Sequence, residues 1–191
     1  IQFAKKTLFS DVPMNVNDIH NVIIPKFTTR EAYSVFCIRE LHKYIESDYV
    51  LMIHDDGFVI NPHLWADEFL NYDYIGAPWP GDPNDHSHGR VGNGGFTLRS
   101  KKLLTAIKDF TETDINEDWL IGVIKRDYLR DIGIKFSPVE VAMKFSLELP
   151  IEECEYNLEN TFGFHGKRSI QHLNKISLLN NIIVHKSTNT F

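Results

Sequence analysis

His54, Asp55 and Asp56 stand together at the end of an apolar run, residues 50–53, and Gly57 permits a sharp turn directly after them. Two adjacent carboxylates repel each other, so a cation is their natural neutraliser. Oxygen ligands select Mg2+ or Mn2+, ions that commonly arrive with a phosphate group. Asp56 is the leading ligand of such a metal and diphosphate site. His54 lies one pleat away on the same face of an extended chain, where it can touch the ligand or a group behind it. A solvated turn is the plain alternative, because Asp and Gly are common turn residues.

Three further stretches carry chemistry. Residues 91–96 read Val-Gly-Asn-Gly-Gly-Phe. They lack the Gly-Lys-Ser/Thr of a P-loop, and Thr97 sits where a dinucleotide fingerprint needs its third glycine. Glycines opening a strand signal close backbone approach, either to a ligand or to another segment of the chain. Glu117 and Asp118 precede Trp119. Acidic residues in a helix's first turn are favoured by the macrodipole alone, yet a carboxylate beside an indole can have a raised pKa and act as a general base. Residues 162–168 place His165 between glycines, ahead of Lys167 and Arg168. Such a histidine can donate nitrogen to a metal while the two cations neutralise phosphate; a structural histidine is the competing reading. His86 and His88, in a long Pro- and Gly-rich loop, read as solvated.

The elements that must position these groups alternate. The run ending in His54 is too short for a helix, is rich in strand formers, and reads as a strand buried on both faces, residues 49–56. At the carboxyl end of such a strand, open α/β sheets bind their ligands. Strands are expected at 1–10, 22–24, 58–60, 74–77, 96–99 and 134–136, with a strand end at 162–165. Helices are expected after the Thr28–Glu31 capping box, where Val35, Ile38, Leu41 and Ile45 make one apolar stripe. Others are expected at 62–70, 100–110 and 116–130, with a short helix or turn at 140–145 and an amphipathic helix from Ser169. Strands alternating with helices argue for one domain, residues 1–191, with a mostly parallel α/β sheet flanked by helices.

Composition excludes some partners. The 191 residues carry a net charge of −6, which argues against broad nucleic-acid or anionic-membrane binding. An anionic ligand therefore needs a metal or a local basic cluster. No apolar run approaches membrane-spanning length. Cys37 falls in a helical pattern and reads as a core residue; with Cys154 the only other cysteine, a reducing, cytoplasmic setting is the expectation.

The order of blocks adds a resemblance. The acidic strand end is followed by Tyr74-Ile75-Gly76-Ala77-Pro78-Trp79, then Gly92-Asn93-Gly94-Gly95-Phe96, then Glu117-Asp118-Trp119, then Phe164-His165-Gly166. Over residues 20–168 this resembles a family of GT-A-fold glycosyltransferases described as a domain of unknown function, with members in bacteria, fungi and large viruses. The resemblance implies a GT-A-like, Rossmann-like fold, a nucleotide-sugar donor, a carbohydrate or glycoconjugate acceptor, and Mn2+ or Mg2+. It implies that Asp56 and His165 bind the metal, with His54 and Asp55 beside the donor and Lys167 or Arg168 facing phosphate. His54 stands where the family's Asp-x-Asp motif has its first acid. Gly94 and Gly95 correspond to the wall that positions the acceptor, Asp118 to the base of inverting relatives, and Glu117 to a contact with acceptor hydroxyls. Trp79 and Trp119 can offer ring faces to sugars. The resemblance also places Ile1 after the strand and helix that hold the nucleotide base in relatives. Two other classes stay open: a metal-dependent phosphate-ester hydrolase using Asp56 and His165, and a non-catalytic sugar- or nucleotide-binding module of a larger protein.

Overall fold

Brief β-branched and aromatic runs, cut by Gly, Pro and Asp, can build only short strands. The computed structural model describes residues 2–81, 90–152 and 156–167. Its strands are β1 (Thr7–Ser10), β2 (His20–Ile23), β3 (Tyr49–Ile53), β4 (Gly57–Val59), β5 (Tyr74–Ile75), β6 (Phe96–Ser100), β7 (Ser146–Leu147) and β8 (Gly163–His165). The helices are α1 (Arg30–Val35), α2 (Lys101–Ile107), α3 (Glu117–Trp119), α4 (Arg126–Asp131) and α5 (Val139–Phe145). Ile1, His86, His88, Cys154, Arg168 and the helix expected from Ser169 lie outside the described residues.

The strands form three small sheets, ordered β1-β2, β3-β6-β5 and β4-β8-β7. This overturns the expectation of one mostly parallel, GT-A-like sheet. The strand ending beside His54 pairs antiparallel with β6, Tyr49 opposite Ser100 and Ile53 opposite Phe96, and β5 pairs antiparallel with β6 as well. Among the strands of the described residues, only the β1–β2 and β7–β8 pairs run parallel. The physical reason lies in the connections. Parallel neighbours need a long crossover, usually a helix. The helix expected at 62–70 is instead two tight 3-10 turns, Pro62–Leu64 and Asp67–Asn71. No helix among the described residues joins β5 to β6. Nor is β3 buried on both faces: its residues are half-buried, and Ile53 is 46% exposed. The segment at 134–136 contributes one isolated bridge, Tyr74 to Phe136, rather than a strand.

Local chemistry sets the helix ends. Thr29, one residue later than expected, caps α1 by accepting from the Ala32 N–H at 3.2 Å. Ser100 caps α2 by accepting from the Leu103 N–H at 3.0 Å. Gly133, at φ +85°, closes the turn after α4. Of the apolar stripe, Ile38, Leu41 and Ile45 are buried and Val35 is half-buried. No helix among the described residues is long and apolar enough to cross a membrane.

The core element that matters most for the site is a cluster of phenylalanines. Phe96 opens β6 and Phe162 precedes β8, and their rings meet edge to face at 5.9 Å. Phe145, at the end of α5, touches both, at 5.3 and 5.8 Å. All three are fully buried. Each contributes about 1.5–3 kcal/mol by leaving water. Their packing fixes the start of β6, hence Gly94 and Gly95, against the end of β8, hence His165.

Candidate functional site

The turn after β3 brings His54, Asp56 and His165 together, with one ligand atom from each within 4.8 Å of the others. The His165 Nε2 lies 3.0 Å from Asp56 Oδ1. Backbone bonds lock the arrangement. The His54 N–H donates to the Gly95 carbonyl at 2.8 Å, the Gly57 N–H to the His54 carbonyl at 3.0 Å, and the Gly166 N–H to the Asp56 carbonyl at 2.9 Å. Antiparallel pairing of β4 with β8 sets Gly57 opposite His165.

Both rings are held from behind by groups that sequence reasoning missed. Glu148, just after β7, places Oε1 3.1 Å from His165 Nδ1, and its other oxygen accepts from the Asn93 amide. The Tyr33 hydroxyl of α1 lies 2.5 Å from His54 Nε2. Burial pulls His165 toward the neutral form, but Glu148 and Asp56 outweigh it and raise its pKa above the ordinary value. His54 goes the other way: burial, then the neighbouring His165, lowers it. Two imidazoles with outer partners, plus one carboxylate, are a donor set that fits a divalent transition ion.

Gly94 and Gly95 form a wall shared by this group and a second one. A Cβ built on Gly95 would stand 1.9 Å from His165 Nε2, and one on Gly94 would stand 2.0 Å from Glu117 Oε1. The close approach read from the glycines is therefore to other parts of the chain. Asn93, at φ +73°, bends the loop and accepts from the Gly95 N–H at 2.9 Å.

At the Gly94 end of that wall, Asp118 accepts from the Gly94 N–H at 3.1 Å and from the Trp119 N–H at 2.8 Å. Burial, followed by the charge of Glu117, raises its pKa, and those two N–H bonds pull against the shift. Glu117, expected among acceptor contacts, is 3% exposed, and its Oε1 pairs with Arg99 at 2.9 Å. Arg99 is fully buried, donates to Thr97 Oγ1 at 3.1 Å and lies over the Tyr74 ring. Glu117 thus holds α3 in place, helped by Ser34, whose hydroxyl accepts from the Glu117 N–H at 3.1 Å. Consecutive residues of α1, Tyr33 and Ser34, brace the two halves of the site. Arg99 carried a legible signal: a cation within a strand-forming run requires a carboxylate partner once the strand is buried.

Trp79 and Trp119 meet at 5.6 Å with their rings tilted 45°. The Trp119 side is 48% exposed, whereas Trp79 is half-buried against Gly92 and Gly122. Lys167 is exposed two residues beyond His165. Asp55 is exposed and stands outside the His54–Asp56–His165 group.

The family described as "Protein of unknown function (DUF5672)" matches residues 18–165, a span holding both halves of the site. No curated protein and no solved structure matches the chain.

Proposed function

The chain belongs to the DUF5672 family, and we propose that it is a metal-dependent glycosyltransferase that moves a sugar from a nucleotide-sugar donor to an acceptor hydroxyl with inversion. One observation carries the reading. The His54–Asp56–His165 group and the Asp118 carboxylate flank the same two-residue wall, Gly94 and Gly95. A sugar lying along that wall would have its leaving group at one end and a base at the other.

Asp56 and His165, with His54, would hold Mn2+ or Mg2+, which when bound supplies Lewis-acid stabilisation of the departing diphosphate. Lys167 adds positive charge beside it. Asp118 takes the proton of the acceptor hydroxyl. The acceptor oxygen forms a bond to the anomeric carbon, and the bond from that carbon to the diphosphate oxygen breaks on the opposite face, its electron pair leaving with the nucleotide. The transition state has oxocarbenium character. A carboxylate kept in fixed orientation by two N–H donors, with its proton affinity raised by burial, suits this task. The exposed Trp119 ring, beside Asp118, offers an apolar face to the acceptor sugar.

The test is Asp118→Asn, assayed by nucleoside diphosphate release from a panel of nucleotide sugars with Mn2+ and carbohydrate acceptors. Turnover falls about 10²–10⁴-fold, the usual contribution of a general base, while donor binding measured by calorimetry is retained. Unchanged turnover removes Asp118 from the role.

A further inference from the structure

The ligand atoms of the metal group are not those of an oxygen cage. Asp56 supplies the one carboxylate, Asp55 stands outside the group, and the other two members are imidazoles. Each ring is also oriented. His165 has Nδ1 on Glu148, which leaves Nε2 as the nitrogen facing Asp56. His54 has Nε2 on the Tyr33 hydroxyl, which leaves Nδ1 as the nitrogen available to a metal. Metal-binding histidines characteristically have the second nitrogen engaged in this way, because it fixes the tautomer and ring direction.

We infer that both His54 and His165 bind the metal through nitrogen, with Tyr33 and Glu148 as their positioning residues, so that the site takes a transition ion and discriminates against Mg2+. Mg2+ demands oxygen ligands and gives up water reluctantly, so a set with two nitrogens and one carboxylate serves it poorly. Mn2+, Co2+ and Zn2+ accept imidazole, with affinity for such a set rising from Mn2+ to Co2+. Three protein ligands leave the remaining coordination of the ion to diphosphate oxygens and water. The inference rests on the metal assignment proposed above and is independent of whether sugar is transferred. It narrows the choice between Mn2+ and Mg2+ to the former class.

The arrangement also explains why Glu148 faces two ways. One oxygen sets the His165 ring and the other holds Asn93, whose own carbonyl oxygen accepts from the Gly95 N–H. The residue that orients a metal ligand thereby also fixes the loop carrying the wall of the site.

The experiment uses the full chain, stripped of metal, titrated calorimetrically with Mg2+, Mn2+, Co2+ and Zn2+ alone, with the visible absorption of Co2+ as a second readout. The expected order is Mg2+ much weaker than Mn2+, and Mn2+ weaker than Co2+, with at least about 100-fold between Mg2+ and Co2+. His54→Ala lowers Co2+ affinity and changes the Co2+ spectrum. Glu148→Gln lowers Co2+ affinity about 10–100-fold and changes the Co2+ spectrum, a readout that a loss of stability alone does not move. Mg2+ binding as tightly as Mn2+ and Co2+ overturns the inference while leaving a metal site in place. An unaltered Co2+ spectrum in His54→Ala removes His54 as a ligand. If no ion binds the unmodified chain, the metal assignment itself falls.

Discussion

Replacing Gly95 by alanine places a methyl carbon where the His165 ring now lies, 1.9 Å from Nε2, 2.1 Å from Cδ2 and 2.5 Å from Cε1. The backbone itself raises no objection, because Gly95 is not among the glycines with positive φ. The whole effect therefore falls on the ring. His165 must swing out of contact with Asp56 and Glu148, each now about 3 Å away at 3.0 and 3.1 Å. Overpacking of this kind costs about 1–3 kcal/mol. For a chain of this length each kcal/mol lowers the melting temperature by about 2–4 °C, so a fall of roughly 2–12 °C is expected. The effect on metal binding is the larger one. Losing an outer partner of a ligand costs about 10–100-fold in affinity, and displacing the ligand itself should cost more. Calorimetric titration with Mn2+ and thermal unfolding without metal give the two numbers. The substitution deletes no polar group, so lost affinity reports geometry alone. Wild-type Mn2+ affinity in Gly95→Ala would refute the placement of His165 against the wall.

The Gly94 end of the wall behaves differently. Glu117→Gln leaves Arg99 fully buried beside a neutral amide, and breaking one side of a buried ion pair costs about 3–5 kcal/mol; denaturant unfolding should show that loss, and a change below about 1 kcal/mol would mean the pair is not structural. Metal binding should depend on pH. His165 holds its proton to a pH above 6.5 because Glu148 and Asp56 outweigh its burial, and the metal must displace that proton, so affinity should fall about tenfold per pH unit below the folded pKa. A flat profile between pH 6 and 8 would contradict this. In the metal-free protein the same raised pKa contributes stability that is complete below 6.5 and lost as pH climbs through the folded value. His54, lowered by burial, acts with the opposite sign: acidification from 6.5 downward costs stability. Thermal unfolding of metal-free His54→Phe and His165→Phe across pH 5–8 separates the two contributions.

What could be read from the chain was residue chemistry, not strand direction. Asp56 and His165 are candidates because a carboxylate after an apolar run and an imidazole between glycines can serve a metal, and Asp118 because a carboxylate beside an indole can serve as a base, although each also has an ordinary reading. The two glycines after Asn93 announced a close approach, though not that the approaching groups would be His165 and Glu117. The sheet was misjudged because an apolar run such as residues 50–53 does not encode the direction of its neighbour. That direction follows from the connections, and two 3-10 turns stand where a crossover helix was expected. Glu148 was invisible for a related reason: in Leu147-Glu148-Leu149-Pro150 it looks like any surface carboxylate, and only β7 pairing with β8 brings it to His165. Tyr33 likewise reads as one more aromatic on a helix until α1 packs beside the turn after β3.

The central claim is that Asp56 and His165 form a metal site serving a nucleotide sugar next to Asp118. Thermal unfolding with a panel of nucleotide sugars, with and without Mn2+, tests it most directly. At a hundred times its dissociation constant a ligand stabilises the folded state by about 2.7 kcal/mol, or roughly 5–11 °C here. The account predicts such a shift for at least one nucleotide sugar in the presence of Mn2+ only, lost in Asp56→Ala and His165→Ala and kept in Asp118→Asn. No Mn2+-dependent shift with any nucleotide sugar, or a shift that survives in Asp56→Ala, would contradict it.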